Sequence, residues 1–347
     1  MQRPVQILGN GIAAVASSRL LADSSIQFRS ELDSRPGMAA ILIGTQTQSL
    51  LKEIFQDVDC LSLAHPIESR TVLWGESASA VTLPHRGLVI SEPLLLDSLW
   101  QRVPAQPESP AMPADEEQSI FSIITANADF NACEEFSFGQ RKATVHQVFL
   151  RDAIDRHACV IESVASGWLF LLPLSADRAA LLSVSIYASP QDQLAQSRLV
   201  KDRIDAIIPS NETPVFPCAP RLSLPLATER ALRCGSAAMR FDPVCGEGAG
   251  NALREAFLAA AVIAALESGE PIDKLSAHYS TRLLVGFFRH LQICRSFYAT
   301  GGADKFWRFE LALLDAGIVR VKELLAKMPR PSYRFNHHSL EAFELIS

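Results

Sequence analysis

Apolar residues open the chain in short blocks. Val5 to Leu8 is a run of strand length, and Gly9-Asn10-Gly11 breaks it. From Ile12 to Ala22 the apolar positions recur at helical spacing. Ser25 to Phe28 forms a second short apolar run. Strand, glycine turn, helix and strand make the start of a βαβ unit, so an α/β fold with a parallel sheet is expected. Residues 39–55 repeat the switch from strand to helix, with Thr45 or Thr47 as the expected cap. A further apolar helix is predicted over 88–103.

From 119 to 190 the period changes. The stretches "SIFSIITA", "RKATVHQVFL", "ACVIESV", "GWLFLLPL" and "AALLSVSIY" have strand length and strand texture. They predict an antiparallel sheet inserted after the opening βαβ unit. Beyond residue 250 the pattern is mostly helical to the end. Residues 104–116 carry four prolines and read as a surface loop.

Composition narrows the class. The net charge is −6 and no block of five like charges occurs, which argues against nucleic acid as a partner. Nearly half the residues are apolar (48%), enough for a large core. The seven cysteines form no C-x-x-C and the eight histidines no H-E-x-x-H, so no metal and no disulfide framework are expected. His337 and His338 read as surface residues. The opening segment has Arg19 inside its helix and no cleavage pattern, so it is not read as a signal peptide. No run of about 18 apolar residues suggests a membrane span, and a cytoplasmic protein is expected. The apolar stretch near 251–267 reads as a buried core helix.

Two glycine patterns carry the chemistry. Gly9, Gly11 and Ala14 fit G-x-G-x-x-A directly after a strand. Gly9 permits the tight turn, Gly11 lets backbone amides approach a pyrophosphate, and Ala14 lets the helix pack closely. A plain strand-to-helix turn is the competing explanation. The ribose-binding acid of such a motif belongs about 20 residues on, where Glu31 stands, with Asp33 second. The second pattern is "RCGSAAMRFDPVCGEGAGNALREAF". Asp242 and Pro243 precede Gly246, Glu247, Gly248, Ala249 and Gly250, just ahead of an alanine-rich helix. A helix start offers free N–H groups and about half a positive charge.

Together these stretches resemble the two FAD signatures of the glutathione-reductase-type flavoproteins, in the branch of the aromatic hydroxylases, geranylgeranyl reductases and tryptophan halogenases. The branch's second signature, G-D-A-A-x-x-x-x-P-x-x-G-x-G, is matched by Gly235, Ala237, Ala238, Pro243, Gly246 and Gly248. "GWLFLLPLSADRAALLSVS" is similar to its sheet strands. The resemblance implies a shortened Rossmann-like FAD-binding domain (1–65 and 225–275), an inserted antiparallel substrate domain (66–224) and a helical C-terminal region (276–347). It implies FAD held by both glycine loops, with the helix near Gly250 pointing at the isoalloxazine ring. It also implies a monooxygenase that acts on an aromatic substrate, small or peptidyl, through a flavin hydroperoxide. Electrons would come from NAD(P)H or an external flavin reductase.

Departures accompany the match. Gly-Asp has become Gly235-Ser236, so one charge-assisted contact to the ribityl chain is replaced by a neutral one. The G-E-x-x-x-P loop has become Gly44-Thr45-Gln46. These changes leave a second reading open: a degenerate flavoprotein fold that acts as a binding or maturation partner. Halogenases of the branch use a pocket lysine, yet Lys52 is the only lysine before residue 142 and comes too early. The residues nominated for substrate are Trp168, Phe170, Phe297, Tyr298 and Trp307, although sheet-core packing accounts for Trp168 and Phe170 equally well. His290 shares a helix face with Ile293, Cys294 and Phe297 and is the candidate general base, against the alternative of a core histidine.

Overall fold

A computed structural model describes residues 4–22, 26–30, 37–56, 59–104, 120–126, 133–151, 155–210, 213–336 and 339–343. Glu31, Asp33, His337, His338 and most of the proline-rich loop lie outside them.

The chain starts with β1 (Pro4–Leu8), α1 (Ile12–Leu20) and β2 (Ile26–Ser30), followed by β3 (Ile41–Gly44) and α2 (Thr45–Phe55). Next come β4 (His65–Leu73), β5 (Val81–Ile90), α3 (Glu92–Trp100), β6 (Phe121–Ile124) and β7 (Glu134–Ser137). Long strands follow: β8 (Lys142–Leu150), β9 (Ala158–Val164), β10 (Gly167–Pro173) and β11 (Arg178–Ser185). After α4 (Pro190–Gln196) come β12 (Ile204–Ile207), β13 (Val215–Pro217), β14 (Arg221–Leu224), β15 (Ala231–Arg233) and β16 (Met239–Arg240). Helices α5 (Gly248–Glu267), α6 (Ile272–Thr300) and α7 (Lys305–Ala326) and the hairpin β17 (Tyr333–Asn336) and β18 (Ser339–Ala342) complete the chain.

The expected parallel sheet is present, in the order β15-β6-β1-β2. Helix α1 lies against it. Ile12 to Ser18 are all buried, and three alanines among them let α5 pack close on α1. The larger sheet has nine strands in the order β12-β8-β11-β10-β9-β4-β5-β3, with β13 beside β8. All its pairs are antiparallel except β4 with β9. Every residue of β10 is buried, and its side chains alternate between two cores. Trp168, Phe170 and Leu172 join the main core, while Leu169 and Leu171 join a smaller one with Val148, Val200 and Ile204.

Several boundaries differ from the pattern reading. Strand β6 was expected among the antiparallel strands, but it lies between β1 and β15 in the parallel sheet. Phe121, Ile123 and Ile124 are buried on both faces, as an interior parallel strand requires. Strand β3, counted with the first glycine turn, pairs with β5 in the large sheet. The helix predicted over 88–103 starts only at Glu92, because residues 88–90 finish β5. The chain ends in a hairpin in place of continued helix. Among the described helices, α5 alone is long and apolar enough to cross a membrane by length and composition, and 61% of that window is buried. It is a core helix that packs on α1, α2 and α6.

Candidate functional site

Gly9 takes φ +125°, and a β-carbon there would stand 2.3 Å from Thr125 Oγ1. No other residue fits both the angle and the space. Thr125 fixes the turn from the neighbouring strand end by donating Oγ1–H and N–H to the Leu8 carbonyl, each at 2.9 Å. Trp100 Nε1 donates to the Asn10 carbonyl at 3.1 Å. Gly11 caps α1 with extended backbone and no side-chain bond, and a β-carbon there would meet nothing within 4 Å. The start of α1 is therefore uncapped by any side chain and has open space beside Gly11 among the described residues. Ala14 is fully buried beneath it.

The second glycine pattern meets the first. A β-carbon on Gly235, which has φ +59°, would stand 2.7 Å from Ala13 Cβ. Gly235 N–H donates to Glu255 Oε2 at 2.6 Å. Burial pushes the Glu255 carboxyl up to about 8, against the pull of that N–H. Ser236 is exposed, and its hydroxyl donates to the Thr125 carbonyl at 3.0 Å, leaving lone pairs free to accept.

Beyond Ser236 the chain makes a 3-10 turn at Pro243–Cys245, and Gly246 follows in the left-handed region at φ +65°. Helix α5 begins at Gly248 with Glu247 as an N-cap that makes no side-chain bond. A β-carbon on Gly248 would meet nothing within 4 Å, whereas one on Gly250 would stand 2.7 Å from Thr47 Oγ1. The start of α5 is thus beside the start of α2. Neither Thr45 nor Thr47 caps α2; its N-cap is Gly44, again without a side-chain bond and with open space around a β-carbon. Helices α1, α2 and α5 pack together with all three starts uncapped by side chains. Such ends suit an anionic ligand.

Asp242 is placed differently from the expectation that it touches cofactor. Its carboxylate is fully buried and fully committed. Oδ1 accepts from Val244 N–H at 2.8 Å, and Oδ2 accepts from Arg141 Nε at 2.6 Å and Tyr298 O–H at 3.1 Å. Arg141 also pairs with Glu310, and none of the three charged side chains reaches solvent. Burial works against the Arg141 charge, and Asp242 and Glu310 more than restore it. Tyr298 OH accepts from Trp168 Nε1 at 3.0 Å, and Trp307 Nε1 donates to the Val164 carbonyl at 2.9 Å. Trp168, Tyr298 and Trp307 are therefore buried wall, with their polar atoms bonded. Phe297 points outward, 39% exposed, at the edge of Trp74. Phe170 lies under the guanidinium of Arg70, which faces the Gly246 turn. Arg141, Glu310 and Arg70 carried no sequence signal, since their partners are remote along the chain.

His290 is buried, and its Nε2 accepts from the Asp242 N–H at 2.8 Å. A backbone amide only donates, so this lone pair is spent on holding the loop. Cys294 Sγ lies 3.2 Å from the same nitrogen and 3.6 Å from Cys245 Sγ. Hydrogen bonding from Cys294 draws the Cys245 thiol down to about 6. The three ligand atoms lie within 4.8 Å of one another, but the Asp242 N–H occupies the position a metal would need on His290. The trio works as a clasp between α6 and the turn before Gly246.

No protein-family model matches the sequence, and no curated protein does. Solved structures do match. A flavin-dependent halogenase, CmlS, superposes with a TM-score of 0.76 at 18% identity, over 95% of this chain and 74% of that one. The peptidyl tryptophan dihydroxylase QhpG, described as essential for tryptophylquinone cofactor biogenesis, gives 0.71 at 20% identity over 89% and 79%. The p-nitrophenol 4-monooxygenase PnpA from Pseudomonas putida gives 0.65 at 14% identity over 94% and 97%. The chain has the fold of these enzymes: a parallel sheet with helices, a large mixed sheet and a helical region near the C-terminus.

Proposed function

We propose that this chain is an FAD-dependent oxidoreductase, a monooxygenase of aromatic substrates. One observation carries the reading: two glycine patterns, far apart in sequence, meet at Ala13 and Gly235, and open, uncapped helix starts surround the junction. FAD fits that arrangement. Gly9, Gly11 and Ala14 would shape the pyrophosphate end, Ser236 would accept a hydrogen bond in place of the usual aspartate, and Pro243, Gly246, Gly248, Ala249 and Gly250 would line the ring end. The bound flavin would supply oxygen activation. The protein's own part is to hold substrate beside it and to keep water out. These uncapped helix starts, with open space beside Gly11 and Gly248, favour flavin binding over the partner-only reading. The halogenating variant of the chemistry has less support, because Lys52 sits on the exposed face of α2.

His290 acts in this reading as a positioning residue. Replacing it by Ala removes the acceptor for Asp242 N–H, which costs about 1–3 kcal/mol when a buried donor is left unpaired. The expected result for H290A is weaker FAD binding with an unchanged pH profile of turnover. A lost alkaline or acidic limb in that profile would restore the general-base role.

The direct test is flavin uptake. Purified protein mixed with excess FAD at micromolar concentration should hold the cofactor through gel filtration, with visible absorption. Reduced under air with an aromatic substrate, it should place one atom of labelled dioxygen in the product. Failure to retain FAD at all removes this reading.

A further inference from the structure

Arg70 stands in the middle of β4, between β5 and β9, on the large sheet. Its Nη2 lies 3.8 Å from where a β-carbon on Gly246 would stand, so the guanidinium faces the second glycine loop. The group is half-buried, and its Nε is shut off from solvent with no partner among the described residues. Its partners among the described residues, His85, Cys159 and Phe170, bring no negative charge. Nη2 donates to His85 Nε2 at 3.2 Å, and this nitrogen must be unprotonated to accept. His85 is held neutral by burial first and by the Arg70 charge second. Burial pushes the Cys159 thiol up, against the Arg70 charge and a side-chain hydrogen bond with Arg70, and the Phe170 ring lies 5.6 Å from the guanidinium carbon. No carboxylate pairs with Arg70 among the described residues.

The contrast with Arg141 is instructive. That guanidinium is deeper and has two carboxylates. A protein that compensates a fully buried arginine so completely has left a half-buried one, near the proposed cofactor, without an anion among the described residues. Removing a cation from water without a counter-charge is costly, and a ligand that brings the counter-charge recovers that cost. Arginine also matches a carboxylate or an aryl-oxide with directed hydrogen bonds.

We propose that Arg70 is the anion-recognising residue of the substrate site, and that the substrate is an aromatic anion, a carboxylate or a phenolate. The inference rests on the proposed flavin reading for its location and deepens it. It separates a free aromatic acid or phenol from a peptidyl aromatic side chain such as tryptophan, which carries no negative charge. The Phe170 ring beside the guanidinium supplies an apolar surface next to the cation.

Matched probe pairs test it: benzoate against benzamide, indole-3-carboxylate against its amide, and 4-nitrophenolate against 4-nitroanisole. Binding to FAD-loaded protein is read by the flavin difference spectrum and by calorimetry. At least one anionic probe should bind about tenfold or more tightly than its neutral partner, and Arg70→Gln should abolish that preference while leaving the neutral probe's affinity unchanged. The carboxylate pairs and the phenolate pair tell the two kinds of anion apart. Arg70→Lys should keep part of the preference, and it replaces Arg70→Gln if that variant does not fold. Equal affinity within every pair overturns the proposal, as does a preference that survives Arg70→Gln. A change confined to the flavin's own reduction potential overturns it too, because Arg70 would then serve the ring and not the substrate. If the protein takes up no FAD, the flavin reading fails separately, and calorimetry on the flavin-free chain still decides whether Arg70 selects anions.

Discussion

The two glycine loops face the same space but are held there by different means. The Gly9 turn is held through its main-chain carbonyls: Gly9 takes a positive φ, Thr125 bonds twice to the Leu8 carbonyl, and the Trp100 indole bonds the Asn10 carbonyl. The Gly246 loop is fixed by side chains from remote elements. Asp242 hangs between Arg141 at the start of β8, Tyr298 and His290 on α6, and through Arg141 it reaches Glu310 on α7. Bonds to main-chain carbonyls hold the first loop, and a buried ion network holds the second. Both lead into a helix start that no side chain caps, so the two designs converge on one result.

The largest expected effect breaks the second design alone. Arg141→Ala leaves Asp242 and Glu310 buried without a counter-charge. It should cost about 3–5 kcal/mol in urea unfolding. An unchanged midpoint would mean that the ion network does not support the fold.

Next in size are two substitutions that should spare stability and remove the ligand. Gly11→Val and Gly248→Val each add a side chain to open space at an ordinary backbone angle. Unfolding should shift by less than about 1 kcal/mol, while FAD affinity falls about 100-fold, equivalent to ~2.8 kcal/mol. Full flavin occupancy in either variant would remove that loop from the pocket. Gly9→Ala sharpens the contrast within one motif. With φ +125° and Thr125 in the way, it should destabilise the fold by about 1–3 kcal/mol.

The smallest effect concerns pH. Glu255 supports the Gly235 end of the junction and is raised from an ordinary 4.5 to about 8. Between those values the native protein holds a proton that the unfolded chain has lost. Stability is therefore greatest below the ordinary value and declines as pH rises toward 8, by about 1.4 kcal/mol between pH 6 and 7 from this group alone. Glu255→Gln should flatten that slope in thermal melts taken across the range.

Much of the first loop was legible in the sequence, because the spacing of Gly9, Gly11 and Ala14 between a strand and a helix is a local pattern; its holds from Thr125 and Trp100 were not. The open end of the second loop was legible for the same reason. Its anchors were not. Asp242 looked like a ligand-facing residue beside glycines, and only the fold shows its carboxylate turned inward onto an arginine 101 positions earlier. His290, Trp168, Tyr298 and Trp307 were chosen for chemical character, and burial decided their placement. Strand β6 was misplaced because a four-residue strand with three apolar residues suits either kind of sheet. Arg70 passed unnoticed since an arginine in a strand carries no local signal until its neighbours prove to be neutral.

The clasp on Asp242 has a consequence for breathing motions. A loop tied at once to β8, α6 and α7 cannot open alone; it opens only when the C-terminal helices come away with it. In native-state hydrogen exchange, the Asp242 and Val244 amides should share one opening free energy with the middle of α6, although they sit in a surface-adjacent loop. The amides around Gly11, outside that unit, should exchange on their own schedule and slow only when ligand is bound. A cofactor pocket built this way has one wall that moves with the helical region and another that stays with the sheet, so cofactor release and partial unfolding would be the same event on one side only.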